Sequence, residues 1–237
     1  MKQKLAIIFE DERIIAVNKP AGILTIADRY DKSAPVVADF LPEPAHHYYT
    51  VHRLDKDTSG TMLLAKDRDT HKLLCRLFEG GAVAKIYHAL VWGRPQWDET
   101  DCDLPLRPDG DANHRTIIDG SGKESLTHFK VLKRWNQVSL LEAKPATGRT
   151  HQIRVHAAAL GYALMCDPLY GDGKPFFLSL VKRTYKGDTW TERPLIARTA
   201  LHAVQISFTY PDTGATITIT AEYPKDFGAV VKQLYKL

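Results

Sequence analysis

Apolar residues gather along the chain in short runs separated by polar turns rich in glycine and proline, a pattern of many strands with few helices between them. The runs at 5–9 and 14–17 predict two strands joined by the polar turn Glu10-Asp11-Glu12-Arg13, and Asn18-Lys19-Pro20-Ala21-Gly22 stops the second in a loop. A short helix is expected over 35–41, before Pro42 and Pro44. A strand-like stretch at 48–51 then leads into the densest polar segment of the chain, 51–60. An apolar strand at 61–65 follows, and then a helix over 69–79 with Leu73, Leu74, Leu77 and Phe78 on one face and Gly80-Gly81 as its stop. Alternating character predicts a strand at 85–93, and two more at 126–134 and 138–143 flank the turn Trp135-Asn136-Gln137. Pro145-Ala146-Thr147-Gly148 leads into a helix running through Leu160. Beyond it come a charged insertion at 174–198, strands at 202–208 and 216–221, and a terminal helix from 225.

No repeat of 20–50 residues recurs and no flexible linker divides the chain, so the 237 residues predict one α/β domain. Its strands should be mixed or largely antiparallel, because the helices are too few for regular β-α-β winding. With 44% hydrophobic and 25% charged residues, the composition is that of a folded chain able to bury a core without disulfides. A formal charge of +4 is compatible with a nucleic-acid partner but too small to argue for one. The cysteines Cys75, Cys102 and Cys166 form no C-x-x-C pair, which predicts inert thiols of a reducing cytosol rather than disulfides or a zinc site. No apolar run reaches the length of a signal or membrane-spanning segment, so a cytoplasmic protein is expected.

Two clusters carry candidate chemistry. Asp55 stands among His52, Arg53 and Lys56 in a loop entering an apolar strand, where cations would keep a carboxylate ionised for nucleophilic or base catalysis. The same spacing also fits a solvated turn in which Asp55, Thr58 and Ser59 satisfy backbone donors. In the second cluster, Gly148-Arg149-Thr150-His151-Gln152-Ile153-Arg154-Val155-His156, a basic, amide-rich helix start suits phosphate or RNA backbone contacts, and a solvated basic helix face fits equally well. His151 and His156 are five apart without a carboxylate, which argues against a metal pair. Tyr87, in a strand, is by itself an ordinary core tyrosine. Gly171-Asp172-Gly173-Lys174 lacks phosphate-loop spacing and reads as a turn.

Together these blocks resemble the RluA family of pseudouridine synthases. Val17-Asn18-Lys19-Pro20-Ala21-Gly22 is similar to the family's V-x-K-P-x-G. His52-Arg53-Leu54-Asp55-Lys56-Asp57-Thr58-Ser59-Gly60 matches H-R-L-D-x-x-T-S-G, and Lys85-Ile86-Tyr87 matches K-x-Y. The second cluster matches G-R-T-H-Q-I/L-R-x-H, and Leu201-His202-Ala203 the late L-H-A. The resemblance implies an α/β fold of the α+β type: a mixed, largely antiparallel sheet flanked by helices, with a central active-site cleft. It implies Asp55 as the essential catalytic group, Tyr87 against the target uracil and Arg154 paired with the aspartate. Arg53 would occupy the space left by an extruded base, and His52, Arg149, His151 and Gln152 would contact RNA. No cofactor and no metal is implied.

The expected substrate is a structured RNA, a ribosomal or transfer RNA stem-loop, acted on by a monomer without an obligatory protein partner or membrane. The family's G-x-P-I-x-G-D is replaced by Gly161-Tyr162-Ala163-Leu164-Met165-Cys166-Asp167, and its late H-P by Tyr210-Pro211; both positions look structural. No S4 RNA-binding domain of the kind many relatives carry is expected before residue 5, so target choice would rest on the catalytic domain with its 174–198 insertion. Three rival readings remain on the residues alone. They are an RNA-binding protein without catalysis, a glycoside hydrolase using Asp55 and Asp57, and a metal-dependent nuclease using His46, His47 and His52.

Overall fold

Asp11 shapes the first turn: its Oδ1 accepts the Arg13 and Ile14 amides at 2.8 and 2.7 Å. In the computed structural model, which describes residues 5–27, 33–41 and 48–237, that turn joins the antiparallel strands β1 (Ala6–Glu10) and β2 (Ile14–Lys19). Pro42, Pro44, His46 and His47 lie outside the described residues. The chain forms two compact units. One comprises the described residues up to Ile86 together with His202–Glu222, the other Tyr87–Leu201 with Tyr223–Leu237.

In the first unit β2 pairs antiparallel with β4 (Ser59–Ala65), a strand buried at every position. The other edge of β4 is shared. β11 (Leu201–Thr209) pairs in parallel with its start, and the two-residue β3 (Tyr49–Thr50) pairs antiparallel with its end. β12 (Thr216–Thr220) extends the sheet beyond β11. The expected mixed sheet is present here, parallel at one junction and antiparallel elsewhere. Helix α1 (Arg68–Glu79) begins where Asp67 accepts the Asp69 and Thr70 amides, and it buries Leu74 against Ile14, Leu63 and Ile206. A leucine so buried contributes about 1.5–3 kcal/mol. The expected helix at 35–41 is a single 3-10 turn, Val37–Phe40.

The second unit holds an antiparallel sheet in the order β5 (Ala84–Trp92, from Tyr87 on), β10 (Val138–Pro145), β9 (Thr127–Arg134), β6 (Glu99–Cys102). A separate two-stranded piece pairs β7 (Leu106–Arg107) with β8 (Ile117–Ile118). Side chains alternate across β5 and β10. Leu90, Val138 and Leu140 pack with Phe227 and Val230 of α3 (Lys225–Leu234), whereas Ala89, Val91, Leu141 and Ala143 pack with Ile153 and Ala157 of α2 (Gln152–Ala159). The charged insertion contains one 3-10 turn, Leu178–Leu180, and is pinned by reciprocal hydrogen bonds of 2.8 Å between Phe176 and the Leu195–Ile196 backbone. All three cysteines are free thiols, and burial pushes Cys166 up to about 11. Among the described residues no helix is long and apolar enough to cross a membrane.

Candidate active site

The Asp55 loop is held at three consecutive peptide groups. The Thr25 hydroxyl donates to the Leu54 carbonyl at 2.9 Å and accepts the Leu54 amide at 3.1 Å. The Asp55 carbonyl accepts Thr58 N–H at 3.1 Å. The Lys56 carbonyl accepts both the Gly22 amide at 2.9 Å and the Lys19 ammonium at 3.0 Å. Lys19 is fully buried, and its Nζ also donates to the carbonyls of Pro20 and Ile23 at 3.0 and 2.7 Å. Three donors meeting three carbonyls is the arrangement that makes a buried ammonium tolerable. The Lys19-Pro20-Ala21-Gly22 block therefore braces the loop that displays Asp55, a role its sequence alone does not announce.

Two further motif residues belong to the same frame. Between the stretches where β11 and β3 pair with β4, the Leu63 amide has no strand opposite and donates to His52 Nε2 at 3.0 Å. The His52 ring stacks on Phe78 at 4.8 Å, and burial, with the Lys85 charge, pushes its pKa down to about 3. His52 is thus a neutral acceptor built into the sheet edge rather than a presented RNA contact. Ser59 Oγ bonds His202 Nδ1 at 2.9 Å, with both side chains fully buried, while His202 Nε2 donates to the Ala221 carbonyl. Gly60, at φ +120°, lies so close to Ala203 that a Cβ would sit 2.1 Å from the Ala203 carbonyl oxygen. The Ser-Gly ending the first block and the His-Ala of the last are therefore partners across one parallel strand junction. Asp55 is half-buried, and Arg53 is exposed.

In the second unit Tyr87 stands on the sheet face that carries α2, packed against the cluster containing Ile153 and Ala157. Helix α2 is not the solvated basic face its composition suggests, since Gln152 through Ala157 are all buried. Gln152 is 4% exposed and uses its full hydrogen-bonding capacity. Its Oε1 accepts the Thr147 hydroxyl (2.6 Å) and the Arg149 amide (3.0 Å), and its Nε2 donates to the Leu126 carbonyl and Thr127 Oγ1, both at 2.9 Å. Expected among the RNA contacts, Gln152 instead locks the helix start to β9. Thr127 in turn donates to His156 Nδ1 at 3.0 Å, and His156 Nε2 donates to the Leu104 carbonyl at 2.9 Å, which fixes a neutral, buried imidazole. Burial lowers the His156 pKa against the opposing influence of Leu104 and Asp103.

Arg154, 6% exposed, forms a forked pair with Asp167: Nε to Oδ2 at 2.6 Å and Nη2 to Oδ1 at 2.8 Å. Burial alone would raise the Asp167 pKa, but the hydrogen bonds and charge of Arg154, with the Leu169 and Tyr170 amides, hold it below the usual carboxylate range. The Arg154 guanidinium also lies 5.2 Å from the centroid of the Tyr170 ring. The Tyr170 hydroxyl accepts the Thr116 amide and bonds His151 Nδ1, each at 3.0 Å. His151 adopts φ +55°, and Arg149 is exposed with its Nε on the Glu124 carbonyl. Asp167 and Tyr170 are the residues sequence reading missed. The only signal was the aspartate ending 161–167, whose partner Arg154 is 13 positions away.

A family model described as RNA pseudouridylate synthase matches residues 13–159, a span containing Asp55, Tyr87 and Arg154. The chain is 33% identical to "Ribosomal large subunit pseudouridine synthase D" of Zymomonas mobilis, over 97% of this chain and 73% of that protein. It is 36% identical to "Dual-specificity RNA pseudouridine synthase RluA" of Vibrio vulnificus, over 86% of this chain and 78% of that one. In fold it is similar to human RNA pseudouridylate synthase domain containing 4, with a TM-score of 0.74 at 23% identity over 97% of this chain and 93% of that chain. Family model, relatives and fold agree with the ordered motif blocks, and the chain belongs to the RluA family of RNA pseudouridine synthases.

Proposed function

We propose that this enzyme isomerises a particular uridine in a structured ribosomal or transfer RNA, with Asp55 as its essential catalytic group and the target base flipped out of its stack. The reaction breaks N1–C1′, turns the uracil and joins C5 to C1′; the proton lost from C5 is balanced by one gained at N1, so no redox partner is needed. The observation that carries the reading is the pinning of three successive peptide groups around Asp55, because a reactive carboxylate on a fixed loop approaches one atom of a bound nucleotide without first being ordered. Asp55 would attack C1′ or C6, or take the sugar 2′ proton, and all three routes use an ionised carboxylate.

In this reading Tyr87 walls the uracil and Arg154, aimed by Asp167, pairs with Asp55. The exposed Arg53 fills the space left in the RNA, while Arg149 and His151 hold its backbone. The relatives named for the large ribosomal subunit support a ribosomal RNA among these classes. Tritium release from RNA carrying 5-tritiated uridine tests the assignment: Asp55→Ala and Asp55→Asn should lower it by about 10⁴-fold or more while circular dichroism stays unchanged. Wild-type release by either variant would overturn it, and free uracil as the wild-type product would mean hydrolysis instead.

A further inference from the structure

Within the second unit, the 135–137 turn between β9 and β10, residues 181–184 of the insertion and the end of α3 enclose a groove of about 600 Å³. Its walls carry Arg94, Arg134, Lys182, Arg183 and Lys236, and no Asp or Glu side chain lines it. Arg134 is committed to the Pro95 and Trp97 carbonyls and to Asp98. Among the described residues none of the other four cations is paired with an acidic side chain. An excess of positive charge gathered in one place raises the folded protein's energy, and an arriving polyanion relieves it.

The groove is built rather than incidental. The Trp135 amide bonds the Val138 carbonyl and the Gly93 amide the Gln137 carbonyl, each at 2.8 Å, which fixes the turn. The Lys182 amide bonds the Leu178 carbonyl at 3.0 Å and the Tyr185 amide the Lys182 carbonyl at 2.9 Å, so the insertion presents Lys182 and Arg183 from a folded turn. Trp135 meets Tyr235 edge-on at 5.2 Å, and Lys133 Nζ lies 5.8 Å from the Tyr235 centroid, adding aromatic surface and a sixth cation beside it.

We propose that this groove docks the sugar-phosphate backbone of the substrate RNA away from the target uridine, and that the insertion thereby extends the enzyme's RNA footprint. The inference rests on the RNA-modifying reading above; the choice of RNA over an acidic protein follows from Lys and Arg groups carried on hydrogen-bonded turns beside aromatic rings and the amide side chains of Asn136 and Gln137, which offer donors to phosphates, sugars and bases.

Filter binding of the full chain to a large-subunit rRNA transcript, and separately to unmodified tRNA, across a salt series tests the proposal. The pair Lys182→Ala with Arg183→Ala should flatten the log–log salt slope by about 1.4 and weaken binding about 25-fold at 0.1 M salt, at about 0.7 per lost phosphate on single strands. Arg94→Gln with Lys236→Gln, both exposed positions, should do the same independently. Single-turnover rates at saturating RNA should stay within about 2-fold of wild type for either pair. Lys72→Ala, on α1 of the first unit, is the control and should change binding little. An unchanged slope in both double variants, or an equal loss in Lys72→Ala, would overturn the groove assignment. Tritium release by the wild-type enzyme is scored separately, so a failure of the RNA-modifying reading is distinguishable from a failure of the groove.

Discussion

Arg154 depends on Asp167 for both its charge balance and its orientation. The forked pair uses Nε and Nη2, and Tyr170 covers one face of the guanidinium, so the group cannot turn without breaking two charge-assisted hydrogen bonds. Asp167→Asn keeps the shape and removes the carboxylate that holds the fork, so a buried cation loses that anion. Breaking such a pair costs about 3–5 kcal/mol. A lower melting temperature is therefore expected for Asp167→Asn, together with a fall in single-turnover rate measured well below that temperature, where the protein is still folded. RNA affinity should stay near wild type, because Asp167 is fully buried and not itself an attractive contact for phosphate. If the rate of the folded variant matched wild type, Asp167 would be a packing residue only. Arg154→Lys should behave like a loss, since an ammonium cannot reproduce the fork.

At the scale of elements, the parallel junction of β4 and β11 explains why motif blocks far apart in sequence occur together. Gly60 meets the Ala203 backbone, and Ser59 bonds His202. Gly60→Ala combines a left-handed φ with a contact that backbone atoms cannot relieve, and it should destabilise the protein by on the order of 3 kcal/mol or more, measurable as a shift in the urea midpoint. A wild-type midpoint would mean that the junction opens without cost. The long alternating strands β5, β9 and β10 and the helix α1 were legible because their apolar period and their caps are local. The strand β6 was not, because Glu99-Thr100-Asp101-Cys102 carries no apolar alternation and owes its extension to pairing with β9. Nor was the burial of α2: Gln152, Arg154 and His156 are satisfied by Thr127, Leu126, Thr147, Leu104 and Asp167, none of which a local pattern can assign to them. Asp55, Tyr87 and Arg154 were named from the order of their blocks. Of the residues that brace them, Thr25 and Tyr170 carry no motif that a single sequence displays, and Asp167 and Lys19 stand in motif stretches that do not declare their use.

At the scale of the whole molecule, burial lowers the pKa of His52, His88 and His156 among the described residues, and together these three shape its response to acid. His52 accepts from Leu63 and titrates near 3, chiefly because it is buried. His88 is lowered by burial despite the opposing charge of Glu142, and its Nδ1 is bonded to the Tyr223 hydroxyl, itself pushed up to about 12 by burial. His156 is lowered by burial between Thr127 and Leu104. In the unfolded chain each titrates near 6.5. Above that pH both states are neutral and nothing is lost; below it the unfolded chain takes up protons that the folded protein refuses, so stability falls as pH drops from about 6.5 toward the folded values. Each group contributes up to about 1.4 kcal/mol per pH unit in that window. The depressed carboxylates Asp167 and Asp226 act in a lower window, their stabilisation being lost only as pH falls below about 4 through their folded values. The expected profile is therefore two-stage: the urea midpoint declines between pH 6.5 and 4 and then collapses below it. His156→Gln, which removes one of the three titrations, should be less stable than wild type at pH 7.5 but show a shallower decline between pH 6.5 and 4. A flat wild-type profile from pH 7 to 4.5, or an unaltered slope in His156→Gln, would show that these imidazoles take up protons in the folded protein and that their hydrogen bonds are not the neutral set described.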